Sequence, residues 1–135
     1  MKYYSLTFFL LLGFAVGCGS GQVPMRGTVV FSDDGSPLTT GTVVFSTPTF
    51  QAQGDLDRRG HFIMESYGAK DGLPPGTYHV FIRGAFIYVG GTTYDLIDPK
   101  HTGPATSGIE ITVDRTTRNL DITVDRNPLP RPGGE

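Results

Sequence analysis

The amino-acid sequence predicts an all-β fold, a seven-stranded antiparallel sandwich. Apolar residues alternate with polar ones in short runs, which is the period of half-buried strands. No stretch of the chain repeats its apolar residues with the period of a helix. Nineteen glycines and ten prolines make up more than a fifth of the 135 residues, so regular elements must be short and separated by turns. These observations exclude a helical bundle.

Seven segments show the alternation expected of core strands. The first two are separated by Asp33-Asp34-Gly35, which favours a turn. The third and fourth flank the segment 57–60. Here the aspartate carboxylate can accept a hydrogen bond from a backbone N–H group that follows it, and the glycine can adopt positive φ, as in a tight hairpin. Residues 71–76, with two prolines, lead into the fifth segment. In chain order the segments are 25–31, 41–46, 50–56, 60–65, 77–83, 109–114 and 119–125.

The parity of residues within these segments predicts which side chains form the core. Tyr78, Val80 and Ile82 lie two apart, so they share one face of the fifth segment. The other segments carry matching apolar stripes, which are Phe62, Met64, Ile109, Ile111, Val113, Leu120, Ile122 and Val124. One core between two sheets can hold all of these side chains, and about 100 ordered residues are enough for an independent domain without disulfides.

The N-terminus, MKYYSLTFFLLLGFAVGC, has the pattern of an export signal. Lys2 is followed by an apolar run from Leu6 to Val16 and then by small residues, which is typical of a secretory signal peptide. The run is about 16 Å long as a helix, against about 30 Å of membrane hydrocarbon. It is therefore too short for a transmembrane anchor.

The end of this signal resembles a bacterial lipobox, Ala15-Val16-Gly17-Cys18. The resemblance implies that Cys18 is lipidated, for example with palmitate, and becomes the first residue after cleavage. Two or three acyl chains on one residue give stable membrane attachment, which explains a single cysteine in an exported chain; an ordinary signal peptide that ends near a free cysteine is the alternative. Gly19 follows in place of aspartate, which by the same resemblance favours the outer membrane.

These features predict a division of the chain into four parts. The tether is short and flexible because glycine and serine have little conformational preference, and the C-terminal end is too rich in proline and glycine for a helix or a strand. The four parts are a lipoprotein signal peptide (1–17), a lipidated tether (18–22), a β-sandwich domain (23–126) and a disordered tail (127–135).

The succession of motifs in the first half of the domain resembles carboxypeptidase-regulatory-like domains. These motifs are Gly-Thr-Val at 27–29, Asp-Gly-Ser-Pro-Leu at 34–38, Gly-Thr-Val at 41–43, Asp-Arg-Arg-Gly-His-Phe at 57–62 and Leu-Pro-Pro-Gly-Thr-Tyr-His-Val at 73–80. The resemblance spans Val23 to Arg83 and implies a Greek-key, transthyretin-like (prealbumin-like) sandwich. The loop 98–108, with two prolines and a Thr-Ser-Gly end, resembles small bacterial lipoproteins with one such domain. An immunoglobulin-like sandwich is the structural alternative, but its buried tryptophan and paired cysteines are absent.

Composition excludes several function classes. The net charge is −2 and no basic block is present, so we expect no nucleic-acid partner. We also expect no cofactor and no metal. Asp55, Asp57 and His61 have suitable donors for a divalent ion, but Asp57 has a turn role and His61 has the parity of a solvent-facing residue. The spacing also lacks the closing glutamate of an EF-hand.

The sequence also argues against catalysis. His61 and His79 fall on outward faces of predicted strands and His101 falls in a loop, where histidines are usually solvated. No Gly-x-Ser-x-Gly elbow surrounds any serine. Three aspartates could form an acid–base pair, but they lie beside glycine and proline, where turn formation explains them; these are Asp71, Asp95 and Asp98.

The segment 86–97 is the strongest candidate for a contact surface. It carries large apolar and aromatic side chains that the seven core strands do not need. It can be interpreted as an ordinary hairpin with Gly90-Gly91 at its turn, or as an exposed aromatic surface that binds a partner. On the second interpretation the contact residues are Phe86, Tyr88 and Tyr94.

The sequence therefore predicts a non-catalytic, membrane-tethered β-sandwich lipoprotein that acts as an interaction or structural module of the cell envelope. Its expected partners are the membrane, through the N-terminal lipid, and an envelope protein or glycan. The alternative is an accessory lipoprotein that binds a small ligand or a carbohydrate, although a chain without tryptophan lacks the usual stacking platform for sugars. A metal-dependent hydrolase is the third hypothesis.

Overall fold

The computed structural model describes residues 21–68 and 70–128. The predicted signal peptide, Cys18, most of the tether and the tail from residue 129 lie outside the described residues. Within the described part of the chain, no helix is long and apolar enough to cross a membrane.

Nine strands and one short 3₁₀ helix make up the described fold, which confirms the all-β prediction. The strands are β1 (Arg26–Phe31), β2 (Thr42–Thr47), β3 (Phe50–Asp55), β4 (His61–Ile63), β5 (Gly76–Arg83), β6 (Phe86–Val89), β7 (Thr92–Asp95), β8 (Ile109–Val113) and β9 (Asn119–Val124), and the helix η1 (Pro99–Thr102) lies between β7 and β8.

The strands form three sheets. One has the order β4-β1-β9, a second has the order β3-β2-β5-β8, and β6 and β7 form a separate hairpin. The first two sheets contain the seven segments predicted as core strands. Backbone hydrogen bonds between Gln53 and Glu65, at 2.8 and 3.0 Å, link β3 to the residues that follow β4. The two larger sheets are therefore joined along one side.

The prediction that all strands are antiparallel is wrong for one pair. β1 and β9 run parallel, with Arg26 opposite Asn119 and Phe31 opposite Val124. Neighbouring strands joined by a tight turn must be antiparallel, but β1 and β9 are connected by most of the domain, so no short turn fixes their relative direction. The alternation of apolar and polar residues along a strand does not indicate whether it pairs parallel or antiparallel with its neighbour.

A single hydrophobic core lies between the two larger sheets. Val29 and Phe62 enter it from one sheet, and Phe45 and Val80 from the other. Three of the predicted core residues are only partly buried, because they lie on the edge strands β8 and β9; these are Ile109, Ile111 and Leu120.

The predicted turns use the side chains that the sequence indicated. The Asp57 carboxylate accepts from the backbone N–H of Arg59 at 2.8 Å and of His61 at 2.9 Å, and Gly60 adopts a φ of 77°. At the start of β5 the buried Tyr78 ring packs in the core while its hydroxyl donates to the carbonyl of Pro74 at 2.6 Å. The Leu-Pro-Pro-Gly-Thr-Tyr segment is thus held by its own tyrosine.

Candidate functional site

Residues 86–95 form the hairpin that the sequence allowed. Strands β6 and β7 are antiparallel, with Phe86 opposite Asp95 at one end and Val89 opposite Thr92 at the other. Gly90 and Gly91 form the turn with φ values of 58° and 85°, which is the left-handed conformation that a two-residue hairpin turn requires at both positions. The double glycine therefore sets the length of the hairpin.

The three predicted contact residues divide between the two faces of this hairpin. Phe86 and Tyr88 lie on one face, where 47% and 71% of their surface is exposed. Tyr94 lies opposite Ile87, so these two side chains share the other face, and both are half-buried. Ile87 packs against the hydrophobic core. The hairpin thus has one face toward the domain and one aromatic face toward solvent.

The base of the hairpin is fixed to the domain by hydrogen bonds. The N–H of Leu96 donates to the carbonyl of Ala85 at 2.8 Å, and the N–H of Asn127 donates to the carbonyl of Leu96 at 3.0 Å. The Asn127 side-chain amide donates to the carbonyl of Asp95 at 3.0 Å. Leu96 and Ile97 are buried, so the exposed aromatic face is carried by an anchored element.

The three donors considered for a metal lie around one open depression of about 600 Å³ on the outer side of β4, β1 and β9. Asp55 accepts a hydrogen bond from the Thr42 hydroxyl at 2.7 Å. The backbone N–H groups of His61 and Arg59 lower the pKa of Asp57, and the second Asp57 oxygen lies 3.8 Å from Nδ1 of His61. Both carboxylates therefore have structural partners. Within the described residues, no group of three or more potential ligands is positioned to hold a metal ion.

Of the three aspartates considered for acid–base chemistry, Asp71 and Asp98 each stabilise a local structure. The Asp71 carboxylate accepts hydrogen bonds from the backbone N–H groups of Ser66 and the two residues that follow it. These hydrogen bonds lower the pKa of Asp71. Asp98 accepts from the N–H of Lys100 at 3.0 Å and begins η1, while Asp95 ends β7. The hydrogen bonds of Asp71 and Asp98 explain these residues as turn and cap formers.

His101 is not the solvated loop residue that the sequence suggested. It lies in η1 and is only 5% exposed. Its Nε2 accepts a hydrogen bond from the backbone N–H of Asp125 at 3.0 Å. Nδ1 is buried and has no hydrogen-bond partner in the described structure. Sequence reasoning missed this contact because its partner, Asp125, lies 24 residues away, directly after β9.

Asp125 brings together a serine and a histidine without forming a catalytic triad. The Ser32 hydroxyl donates to the Asp125 carboxylate at 2.6 Å, and Nε2 of His101 lies 3.7 Å from the same carboxylate. In a triad the histidine must accept the serine proton and the aspartate must bind the other ring nitrogen. Here the serine is bound to the aspartate and Nε2 is bound to the backbone, so His101 cannot activate Ser32.

The Asp125 carboxylate is also paired with Lys100. Lys100 Nζ lies 2.5 Å from Asp125, and the bonds from Lys100 and Ser32 lower the pKa of Asp125 to about 2 from an ordinary value of 3.8. Because its folded pKa is depressed, Asp125 contributes stability above its ordinary pKa, and this contribution is lost as the pH falls toward 2.

We expect Asp125→Asn to alter the acid dependence of stability. The wild-type protein should lose stability between roughly pH 4 and pH 2, and the variant should lose less in this window while being less stable at pH 7. Urea midpoints across this pH range measure both effects. Asp121→Asn, which changes an exposed aspartate of the adjoining strand β9, serves as the control. Identical acid curves for Asp125→Asn and the wild-type protein would contradict the prediction.

Comparison with known proteins gives one structural similarity. No protein-family model matches the chain, and no curated protein matches it. The fold is similar to a solved structure of the major pilin subunit of Bacillus cereus, with a TM-score of 0.47 and 16% sequence identity, over 78% of this chain and 30% of that chain. The chain therefore spans less than a third of that pilin subunit.

Proposed function

We propose that this chain is a non-catalytic, lipid-anchored β-sandwich lipoprotein that serves as an interaction or structural module of the cell envelope. Cys18 carries the lipid, and the outer membrane is the proposed location. We also assign the domain to transthyretin-like, Greek-key sandwiches related to carboxypeptidase-regulatory-like domains. Motif order from Val23 to Arg83 supports this assignment, as does the hydrogen bond from Tyr78 to Pro74 within the most specific motif.

The division of the hairpin into two faces carries the proposal of an interaction module. Ile87 packs against the core and the half-buried Tyr94 lies beside it on the same face, while Phe86 and Tyr88 are presented to solvent. Large aromatic side chains contribute much of the binding energy at protein interfaces. A fixed element also loses little conformational freedom when a partner binds. We therefore propose that an envelope protein contacts Phe86 and Tyr88, with Tyr94 orienting the hairpin.

The double variant Phe86→Ser/Tyr88→Ser tests this proposal. We expect its melting temperature to stay close to that of the wild-type protein, because surface substitutions rarely change stability by more than about 0.5 kcal/mol. Photo-cross-linking from position 88 in membranes should give a discrete adduct, and the protein captured by the wild-type chain should be lost with the double variant.

Ile63 provides a control, because it is also a large exposed apolar residue and lies outside the hairpin. Ile63→Ser should leave capture unchanged, and a photo-cross-linker at position 63 should not give the same adduct. Unchanged capture by the double variant, or a marked fall in its melting temperature, would refute the contact surface.

A further inference from the structure

Four polar side chains form a straight row across the outer face of the four-stranded sheet. Ser46 on β2 is opposite Gln51 on β3 on one side and His79 on β5 on the other. His79 is in turn opposite Glu110 on β8. Directly paired residues project from the same face of a sheet, so these four residues share the outer face. The row spans about 14 Å at ordinary strand spacing.

Two open depressions lie along this row. One, of about 440 Å³, is lined by Ser46, His79 and Glu110 together with residues of the loop 104–108. The other, of about 460 Å³, is lined by Gln51 and by the exposed Tyr67. The polar row therefore connects two concave surfaces. Carbon atoms of Pro104 and Ala105 line one of them, and the ring of Tyr67 lines the other.

The surface along the row is firmly packed. Val44 and Phe81 lie on the same face of the sheet as the row and are buried. Gln53 and Arg83 are on strands either side of β2, and the Arg83 guanidinium donates to the Gln53 amide oxygen at 2.9 Å. This bond crosses the sheet beside the row. Ser46 itself is only 7% exposed.

The remaining polar groups of the row are free for a ligand. Within the described residues, no hydrogen bond or ion pair engages the side chains of Gln51, His79 or Glu110, and all three are exposed. The Ser46 hydroxyl donates to the carbonyl of Thr47 at 3.4 Å, not to His79. Ser46, His79 and Glu110 thus lie next to one another along the row. The hydrogen bond from the serine hydroxyl to the histidine, which would activate the serine, is absent among the described residues.

From this arrangement we infer that the row Gln51–Ser46–His79–Glu110 is a binding site for an uncharged oligosaccharide. The exposed amide of Gln51, imidazole of His79 and carboxylate of Glu110 offer both donors and acceptors, and each sugar hydroxyl can also donate and accept. Tyr67 and the loop 104–108 supply apolar surface for the carbon faces of the sugar rings. The row contains no lysine or arginine, and Arg83 beside it is already bonded to Gln53. Glu110 would repel an acidic polymer.

This inference adds a second site to the proposed function. The row lies on a different sheet from the hairpin β6–β7, and it does not depend on the lipid at Cys18. Failure of one proposal therefore leaves the other standing.

Isothermal titration calorimetry tests the site with cellotetraose, mannotetraose and chitotetraose as probes. The full chain is used in a detergent that contains no sugar. We expect saturable heat with at least one of the three neutral tetrasaccharides, and none with a tetramer of galacturonate. His79→Ala and Glu110→Ala should each weaken that binding by about tenfold, because each removes one hydrogen bond to the ligand. Their melting temperatures should not change.

His61→Ala is the matched control, since His61 is an exposed histidine on the outer face of the other large sheet. It should bind the sugar as the wild-type protein does. Absence of heat with all three neutral probes would overturn the inference. Equal binding of the galacturonate tetramer would do the same, and so would a loss of affinity in His61→Ala that matches the loss in His79→Ala.

Discussion

Val80→Asp is expected to destabilise the domain by roughly 3 kcal/mol or more, since it places an unpaired carboxylate in an apolar environment. Val80 is fully buried in the core and lies in the middle of β5, paired with Phe45 of β2 and Ile109 of β8. A domain of this size is stable by only about 5 to 15 kcal/mol, so the variant should unfold at a much lower urea concentration or fail to fold.

Val89→Asp is the control for this substitution, because Val89 is 45% exposed near the tip of the hairpin. It introduces the same side chain into solvent and should change stability by less than about 0.5 kcal/mol. Urea unfolding followed by far-ultraviolet circular dichroism compares the two variants. Equal midpoints for Val80→Asp and Val89→Asp would show that Val80 is not in the core.

Cys18→Ala is expected to abolish attachment of the protein to the membrane. If Cys18 carries the lipid, growth with labelled palmitate should label the wild-type chain and leave the variant unlabelled. Two or three acyl chains hold a protein stably at a membrane, so phase separation in detergent should move almost all of the protein from the detergent phase to the aqueous phase.

Ser20→Ala is the control for a change beside the same site, and it should remain labelled and in the detergent phase. Mass spectrometry of the wild-type N-terminus should find an acylated cysteine as the first residue. A Cys18→Ala protein that still enters the detergent phase and incorporates palmitate would contradict the proposed anchor.

The local elements of this fold could be predicted from the sequence because their causes are local. Alternation along β5 placed Tyr78, Val80 and Ile82 in the core, and all three are buried. The role of Asp57 in its turn could also be predicted, since the donors lie within four residues of the carboxylate. Side-chain parity and turn chemistry do not need knowledge of any distant part of the chain.

Other features could not be predicted because they depend on pairings between distant segments. The parallel direction of β9 against β1 and the burial of His101 under Asp125 both require that the whole domain is assembled. The candidate sites have the same limitation. The hairpin was foreseen from Gly90-Gly91, but the separation of Tyr94 from Tyr88 depends on how the hairpin packs. The row through Ser46 and His79 needs the register of four strands, which no local motif reveals.

The parallel pair of β1 and β9 affects when the domain can fold. β1 is the central strand of its sheet, and its parallel partner β9 is the last strand in the described part of the chain. A ribosome makes β1 first, so this strand has only one possible neighbour until residues 119–124 have been synthesised. Contacts between segments so far apart along the chain form slowly, because a long loop must close before they are made. The core between the two larger sheets can therefore close only after β9 has left the ribosome.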